Sequence, residues 1–118
     1  MRQPPSIDAY GDGGFRVSGV WRPGSLLILD DAPQDWPVAS LAALTIEHLR
    51  AVIDGGAAVS EFVLLGTGAT QALPPREIRE GLRGARLGLE FMSTEAAARM
   101  HNVLASEGRR FATALIAV

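Results

Sequence analysis

The amino-acid sequence predicts one α/β domain that spans residues 1–118. Its length lies in the range of a single domain, and 47% hydrophobic residues against 20% charged ones is an ordinary globular composition. The first quarter of the chain consists of short runs of strand-forming residues between glycine-rich turns. From residue 45 onward, amphipathic helical segments alternate with apolar strand segments, which is typical of a sheet covered by helices.

The first elements are predicted to form an antiparallel β-meander. Residues 7–10 and 15–21 are rich in strand formers, and the glycine-rich segment 11–14 between them predicts a hairpin or a bulged turn. A third run, residues 25–29, follows a Pro-Gly pair that suits the centre of a type II turn. Residues 30–38 contain two prolines, which indicates a connection or a short edge strand anchored by Trp36.

The next segments are predicted to be a helix and a buried strand. Thr45 is a suitable N-cap, and Gly55 can end the helix in the left-handed conformation. The apolar positions that share one helix face are Ile46, Leu49, Val52 and Ile53. Residues 61–65 are almost entirely apolar, as expected for a strand covered on both faces.

A second helix is predicted to begin at Pro74 and Pro75 and to end at Gly84. Its inward positions are Ile78 and Leu82. Residues 87–92 then form another predicted strand.

A third helix is predicted to be capped by Ser93 or Thr94 and ended by Gly108. Its predicted buried stripe consists of Ala96, Met100, Val103 and Leu104. Residues 111–118 are apolar on both faces except at Thr113, which predicts a central strand.

Composition excludes several classes of function. The chain has no cysteine, which rules out disulfides, thiolate metal sites and cysteine nucleophiles and fits a reducing compartment. A net charge of -2 argues against a nucleic-acid binder. No apolar run follows the N-terminus and none reaches the length of a membrane span, so we expect a cytoplasmic protein that is not an integral membrane protein.

Three clusters of residues carry a family resemblance. They are Leu65-Gly66-Thr67-Gly68 with Leu73-Pro74-Pro75, Leu89-Glu90-Phe91-Met92-Ser93-Thr94, and the segment from Ala97 through Asn102-Val103-Leu104 to Glu107-Gly108-Arg109. In order and spacing the sequence resembles the small domain shared by mitochondrial respiratory complex I assembly factor 3 and its uncharacterised bacterial and archaeal relatives.

The resemblance implies a three-layer domain with a mixed central sheet of about five strands, helices packed on it and a β-layer from the N-terminal meander. It also implies a function in protein interaction. The mitochondrial relatives assist assembly of a membrane-bound respiratory enzyme, whereas the bacterial relatives have no settled biochemical activity.

The glycine-containing segment Gly66-Thr67-Gly68 is a candidate ligand loop, with Arg76 as its cationic partner. A turn between a buried strand and a helix can present backbone N–H groups to an anion. However, Gln71 stands where a dinucleotide loop has its third glycine, and the chain has no lysine to complete a P-loop. A plain tight turn is the favoured alternative.

Arginine side chains form a basic stripe on the second helix. The residues at helical spacing are Arg76, Arg79 and Arg83, with Arg86 just beyond. The stripe could dock an acidic partner or extend an anion site at the Gly66 loop. Glu77 and Glu80 lie on the neighbouring arc and can neutralise much of it, so a solvated helix face is the favoured interpretation.

Glu90, Thr94 and Asn102 form a second candidate functional cluster. Glu90 interrupts an apolar strand, where a carboxylate would be desolvated unless it is paired, and pairing with an arginine is the favoured alternative to a functional role. Asn102 is predicted to bond to backbone near the helix end. Neither histidine has a partner for catalysis or metal binding at helical spacing, and His101 is predicted to lie at the surface or a boundary.

Three functions follow from these observations, in order of preference. The first is a non-catalytic interaction module like the complex I assembly factors, with a protein partner connected to a respiratory complex, no cofactor, no metal and no enzymatic activity. The second is a small-anion or ligand-binding domain that uses the Gly66-Thr67-Gly68 loop. The third is an enzyme of unknown type that uses Glu90 or Thr94. A homo-oligomer is compatible with all three.

Overall fold

Two β-sheets and three α-helices are present in residues 2–118, the part of the chain that this computed structural model describes. The strands are β1 (Ile7–Gly11), β2 (Gly14–Val17), β3 (Val20–Pro23), β4 (Ser25–Leu29), β5 (Ala32–Trp36), β6 (Phe62–Gly66), β7 (Gly88–Met92) and β8 (Ala112–Leu115). The helices are α1 (Arg50–Val59), α2 (Arg76–Gly84) and α3 (Thr94–Ser106). Two short 3-10 turns, Leu41–Ala43 and Ile46–Leu49, precede α1.

The larger sheet is mixed and has the strand order β5-β4-β8-β6-β7. β4 pairs antiparallel with β5 and β8, whereas β6 pairs parallel with β7 and β8. The smaller sheet is the antiparallel meander β1-β2-β3. The five-stranded mixed sheet and the central position of the C-terminal strand are therefore as predicted.

Side-chain alternation along β6 divides the core into two layers. Val63 and Leu65 pack with residues of α1 and α2 on one face of the sheet. Phe62 and Leu64 pack on the other face with α3 and with the inner side of the smaller sheet, where Phe15 is fully buried. The predicted three-layer α/β fold class is confirmed.

The predicted strand over residues 15–21 is wrong, because it is two strands joined by a tight turn. Ser18 and Gly19 both have positive φ, 47° and 84°, and Val17 pairs with Val20 across them. This is the two-residue hairpin turn whose twist matches that of the flanking strands. The third predicted run, β4, leaves the meander and joins the larger sheet, since the chain changes sheets at Gly24, where φ is 84°.

Two helix ends differ from the prediction. Gly55 stays helical and does not end α1. Gly56 kinks the helix, with φ 63° and ψ -167°, a conformation open essentially only to glycine, and α1 continues to Val59. Gly84 is the last residue of α2, and the left-handed residue beyond it is Arg86, with φ 61°. Arg86 and Leu87 donate to the carbonyls of Arg83 and Leu82, the paired bonds of a Schellman motif.

The predicted buried stripe of α3 is wrong at two of its positions. Met100 and Val103 are 38% and 52% exposed, and Leu104 is only partly buried. The buried residues of the helix are Thr94, Ala97, Ala98 and His101. Small side chains face the sheet because the helix lies close to β6, which it contacts more than any other strand.

His101 is buried, which corrects its prediction as a surface or boundary residue. Its side chain is 2% exposed and both ring nitrogens have partners within the protein. The rings of His101 and Phe111 meet in an edge-to-face arrangement, with 5.5 Å between their centroids. A polar residue on the apolar face is tolerated because its hydrogen bonds are satisfied.

Candidate functional site

The Gly66-Thr67-Gly68 loop is held by hydrogen bonds to the end of β7 and the start of α3. The Thr67 amide donates to the carbonyl of Met92 at 2.8 Å, and the Gly68 amide donates to Oγ1 of Thr94 at 3.0 Å. The Thr67 hydroxyl donates to the carbonyl of Thr70 at 2.7 Å. Both loop amides thus already have acceptors, so an anion would have to use other groups of the loop.

Thr94 links this loop to the C-terminal strand. Its hydroxyl donates to the carbonyl of Ile116 at 2.7 Å, and its amide donates to the carbonyl of Gly68 at 2.8 Å. The side chain is fully buried. Its two oxygen contacts place Thr94 at a junction of three segments, where it has no access to solvent.

Arg76, the proposed cation of the ligand loop, points into solvent. Its Nε donates to Oε1 of Glu80 at 2.7 Å, and the side chain is 80% exposed. The structure shows no contact between Arg76 and the Gly66 loop. The anion-binding interpretation of this loop stays a prediction that a titration can test.

Glu90 is exposed on β7, which corrects the expectation of a desolvated or paired carboxylate. β7 is an edge strand of the larger sheet, so a side chain on one of its faces reaches water at the rim. The described residues place no cationic nitrogen within 4.0 Å of its carboxylate.

Asn102 joins α3 to β1 through two backbone hydrogen bonds. Its Nδ2 donates to the carbonyl of Ile7 at 2.8 Å, and its Oδ1 accepts from the Ile7 amide at 2.9 Å. As predicted, Asn102 bonds to backbone groups, but these groups belong to strand β1 and not to the end of its own helix. Glu90, Thr94 and Asn102 each contact a different part of the fold, so the structure does not assemble them into one site.

An apolar groove runs along β7 on the side of α3 and has a volume of about 310 Å³. Most of its lining is apolar, but two charged residues also line it; the lining includes Phe62, Met92, Met100 and Leu104 together with Glu90 and Arg109. The guanidinium of Arg109 lies 5.2 Å above the ring centroid of Phe62, a cation–π arrangement. The sequence pattern predicted Met100 to be buried in the core, and its exposure instead adds an apolar side chain to this groove.

A second cleft follows β7 on the side of α2 and has a volume of about 500 Å³. It is lined by Arg79, Arg83 and Arg86 together with Leu87, Gly88, Leu89 and Phe91. Both the cleft and the groove include Gly88 and Leu89, so they flank the same strand edge.

The arginines of this cleft differ from most arginines of the chain. Six arginines lie within 4.0 Å of a carboxylate. By contrast, no carboxylate of the described residues lies within 4.0 Å of Arg79, Arg83 or Arg86. Nε of Arg79 donates instead to the carbonyl of Pro74 at 3.0 Å. Within the basic stripe predicted from the sequence, Arg76 therefore pairs with a carboxylate, that of Glu80. The arginines that line the cleft beside β7 have no such partner among residues 2–118.

Residues 2–118 contain no group of three His, Asp or Glu side chains arranged to hold a metal ion. None of the helices in the same range is long and apolar enough to cross a bilayer.

Comparisons with known proteins relate almost the whole chain to other proteins. Residues 7–116 match the model of a family described as "Protein of unknown function (DUF498/DUF598)". An uncharacterized protein of Rhodobacter capsulatus is 40% identical over 93% of this chain and 82% of its own length. The assembly factor 3 of the NADH dehydrogenase (ubiquinone) 1 alpha subcomplex of Danio rerio is 31% identical over 93% of this chain and 63% of its own length.

Among solved structures, a crystal structure of an outer membrane protein from Bartonella henselae superposes with a TM-score of 0.88. That protein is 35% identical, and the match covers 98% of this chain and 96% of the other.

Proposed function

We propose that this chain, which belongs to the DUF498/DUF598 family, is a non-catalytic protein-interaction module that assists the assembly of a larger complex. The resemblance predicted from its motifs is confirmed by the family match and by the similarity to the zebrafish assembly factor. We further propose that its protein partner is connected to a respiratory complex and that the chain is located in the cytoplasm.

The observation that carries the proposal is the similarity to that assembly factor. It extends over 93% of this chain at 31% identity, so the chain matches a contiguous domain of the relative and not an isolated motif. The chain spans about 63% of the relative's length. We infer that the shared domain carries the interaction surface, because it is the part that the two proteins have in common.

The placement of the candidate catalytic groups supports the same proposal. His101 and Thr94 are buried with their polar atoms bonded within the protein, and Glu90 stands alone at a strand edge. A nucleophile needs a base within hydrogen-bond reach, and these three groups do not contact one another. Their contacts are those of side chains that hold segments together.

Affinity capture of the tagged full chain from its native cell, followed by mass spectrometry, tests the proposal. We expect a protein partner that copurifies above a tag-only control and that includes respiratory-complex subunits or their assembly proteins. Screens for hydrolase, transferase and oxidoreductase activity should show no turnover, with or without added metal ions. Turnover that Glu90→Gln abolishes while the fold survives would contradict the proposal.

A further inference from the structure

The outer edge of β7 presents backbone groups that the larger sheet leaves unpaired. The Gly88 amide donates to the carbonyl of Glu61 at 3.1 Å, and the carbonyl of Met92 accepts from Thr67 at 2.8 Å. In a parallel ladder, alternate residues direct their backbone groups to the same neighbour. Residues 88, 90 and 92 therefore face β6, and Leu89 and Phe91 direct their N–H and C=O groups outward.

The two edges of the larger sheet differ in how they are protected. β5, at one edge, carries Pro33 and Asp35, and proline and charged residues are common devices against further strand pairing. β7, at the other edge, also carries one charged residue, Glu90, but its sequence Gly-Leu-Glu-Phe-Met has no proline, so every residue of the strand keeps its backbone N–H. The edge at β7 is the one that remains open to another strand.

The two faces of this open edge have different chemistry. On the α2 side, Arg79, Arg83 and Arg86 surround the cleft without carboxylate partners among the described residues. On the α3 side, Met92, Met100 and Leu104 line the apolar groove, and the charged groups of Glu90 and Arg109 lie beside them. A strand that added to β7 would direct alternate side chains to these two faces.

We propose that the β7 edge binds an extended segment of a partner protein in which acidic and apolar residues alternate. The segment forms backbone hydrogen bonds with Leu89 and Phe91. Its acidic side chains pair with the arginines of the α2-side cleft, and its apolar side chains fill the α3-side groove. This is β-strand addition, in which backbone bonds supply affinity and alternate side chains supply specificity. The proposal names a surface for the interaction module proposed above and rests on that function.

A second copy of this chain is a poorer occupant than an acidic segment. Antiparallel pairing of two β7 strands about a two-fold axis makes one continuous sheet, with both α2-side clefts on the same face. Arg79, Arg83 and Arg86 of one copy would then approach the same residues of the other. Like charges at an interface oppose association, whereas an acidic partner relieves them.

Arg86 offers a variant that separates binding from folding. Its left-handed φ of 61° is unfavourable for arginine and favourable for glycine. Arg86→Gly should therefore keep or raise the melting temperature while it removes one guanidinium from the cleft. Arg83→Glu reverses one charge of the cleft on the exposed side of α2, and Arg76→Glu makes the same change outside it.

The test is an amide chemical-shift titration of the full chain with a terminally blocked peptide of alternating valine and glutamate. We expect the largest shifts at Leu89 and Phe91, with slower hydrogen exchange of those two amides. We expect Arg83→Glu to weaken binding roughly tenfold, Arg86→Gly to weaken it severalfold, and Arg76→Glu to change it less than about twofold. Shifts centred elsewhere, no binding, or equal weakening by all three variants would overturn the proposal.

Two N-methylated peptides test the backbone pairing directly. One is methylated at its valine amides and the other at its glutamate amides. In a paired strand only one of these sets points toward β7, so one peptide should lose binding and the other should keep it. Retention or loss by both peptides would overturn strand addition. If the free chain sediments as a dimer that pairs through β7, this result would overturn the binding of a partner segment in favour of self-association.

The same variants distinguish failure of this proposal from failure of the proposed function. If the wild-type chain captures a respiratory partner and Arg83→Glu captures it equally well, the interaction function stands and the β7 surface is wrong. If the wild-type chain captures nothing above the tag-only control, the interaction function itself fails.

Discussion

The Nδ1 atom of His101 lies 2.7 Å from Oγ1 of Thr113, between α3 and the central strand β8. On the other side of the ring, Nε2 lies 2.8 Å from the carbonyl oxygen of Pro5. A carbonyl only accepts, so Nε2 carries the proton and Nδ1 accepts from the Thr113 hydroxyl. A neutral histidine thus ties the N-terminal segment to the helix and the sheet.

This arrangement predicts a pH dependence of stability. Burial lowers the pKa of His101 below its ordinary value, against smaller raising effects of the Pro5 carbonyl and Asp31. The unfolded chain then takes up a proton near pH 6.5, its unperturbed pKa, while the native state stays neutral. The contribution to the free energy of unfolding is fully present above pH 6.5 and is lost as the pH falls toward the lowered native pKa.

Chemical denaturation between about pH 7.5 and about pH 5 measures this effect, a range that brackets the unperturbed histidine pKa of about 6.5. His101→Gln keeps a polar side chain without a proton equilibrium in this range. The variant should be less stable than the wild type at the upper pH and should lose less stability on acidification. If the free energies of unfolding of the two proteins fall equally on acidification, the pH dependence does not come from His101 and the prediction is wrong.

Gly66 is predicted to be required for packing, not for ligand binding. A Cβ at this position would lie 2.8 Å from Cδ2 of Leu115 and 3.0 Å from Cα of Thr94. Gly66→Ala should lower the free energy of unfolding by about 1–3 kcal/mol, as overpacking does in a closed core. Denaturant unfolding at neutral pH measures the difference.

The matched control for this change is Gly84→Ala. Gly84 is exposed at the end of α2 and has no positive φ, and a Cβ there would meet no atom within 4 Å beyond its own helix turn. Alanine at this position should leave stability unchanged or raise it by up to about 1 kcal/mol. Similar destabilisation by both variants would show that the close contacts at Gly66 are not the cause.

Asn102 is predicted to act as a structural clasp for β1. Removing its amide in Asn102→Ala leaves the N–H and C=O groups of Ile7 without their partners, which should cost about 1–3 kcal/mol. Ser106→Ala is the control, because its exposed hydroxyl bonds only within its own helix turn. Equal melting temperatures for the two variants would argue against the clasp.

Arg76 provides the test of the anion-binding alternative at the Gly66 loop. Arg76→Ala should barely change the melting temperature in buffer without phosphate or sulfate, since its pair with Glu80 is exposed. If the loop binds an anion with the help of Arg76, sulfate should stabilise the wild type more than the variant at matched ionic strength. Equal responses would leave the loop as a tight turn.

The amino-acid sequence by itself determined the order and type of most elements. The apolar run at β6 and the apolar C-terminal segment both predicted buried strands, because continuous apolar side chains must be covered on both faces. Ser93 predicted the start of α3, where its hydroxyl accepts from the Ala96 amide. These signals are local, so they can be recognised from neighbouring residues alone.

Only the tertiary structure decided which groups are buried and which remain unpaired. Met100 and His101 are adjacent on α3, yet the methionine is exposed and the histidine is buried against Thr113. Likewise, Glu90 is exposed because β7 lies at the edge of its sheet. Strand order and helix rotation depend on contacts between residues distant in sequence, and a side chain's exposure and electrostatic partners follow from those contacts rather than from its neighbours.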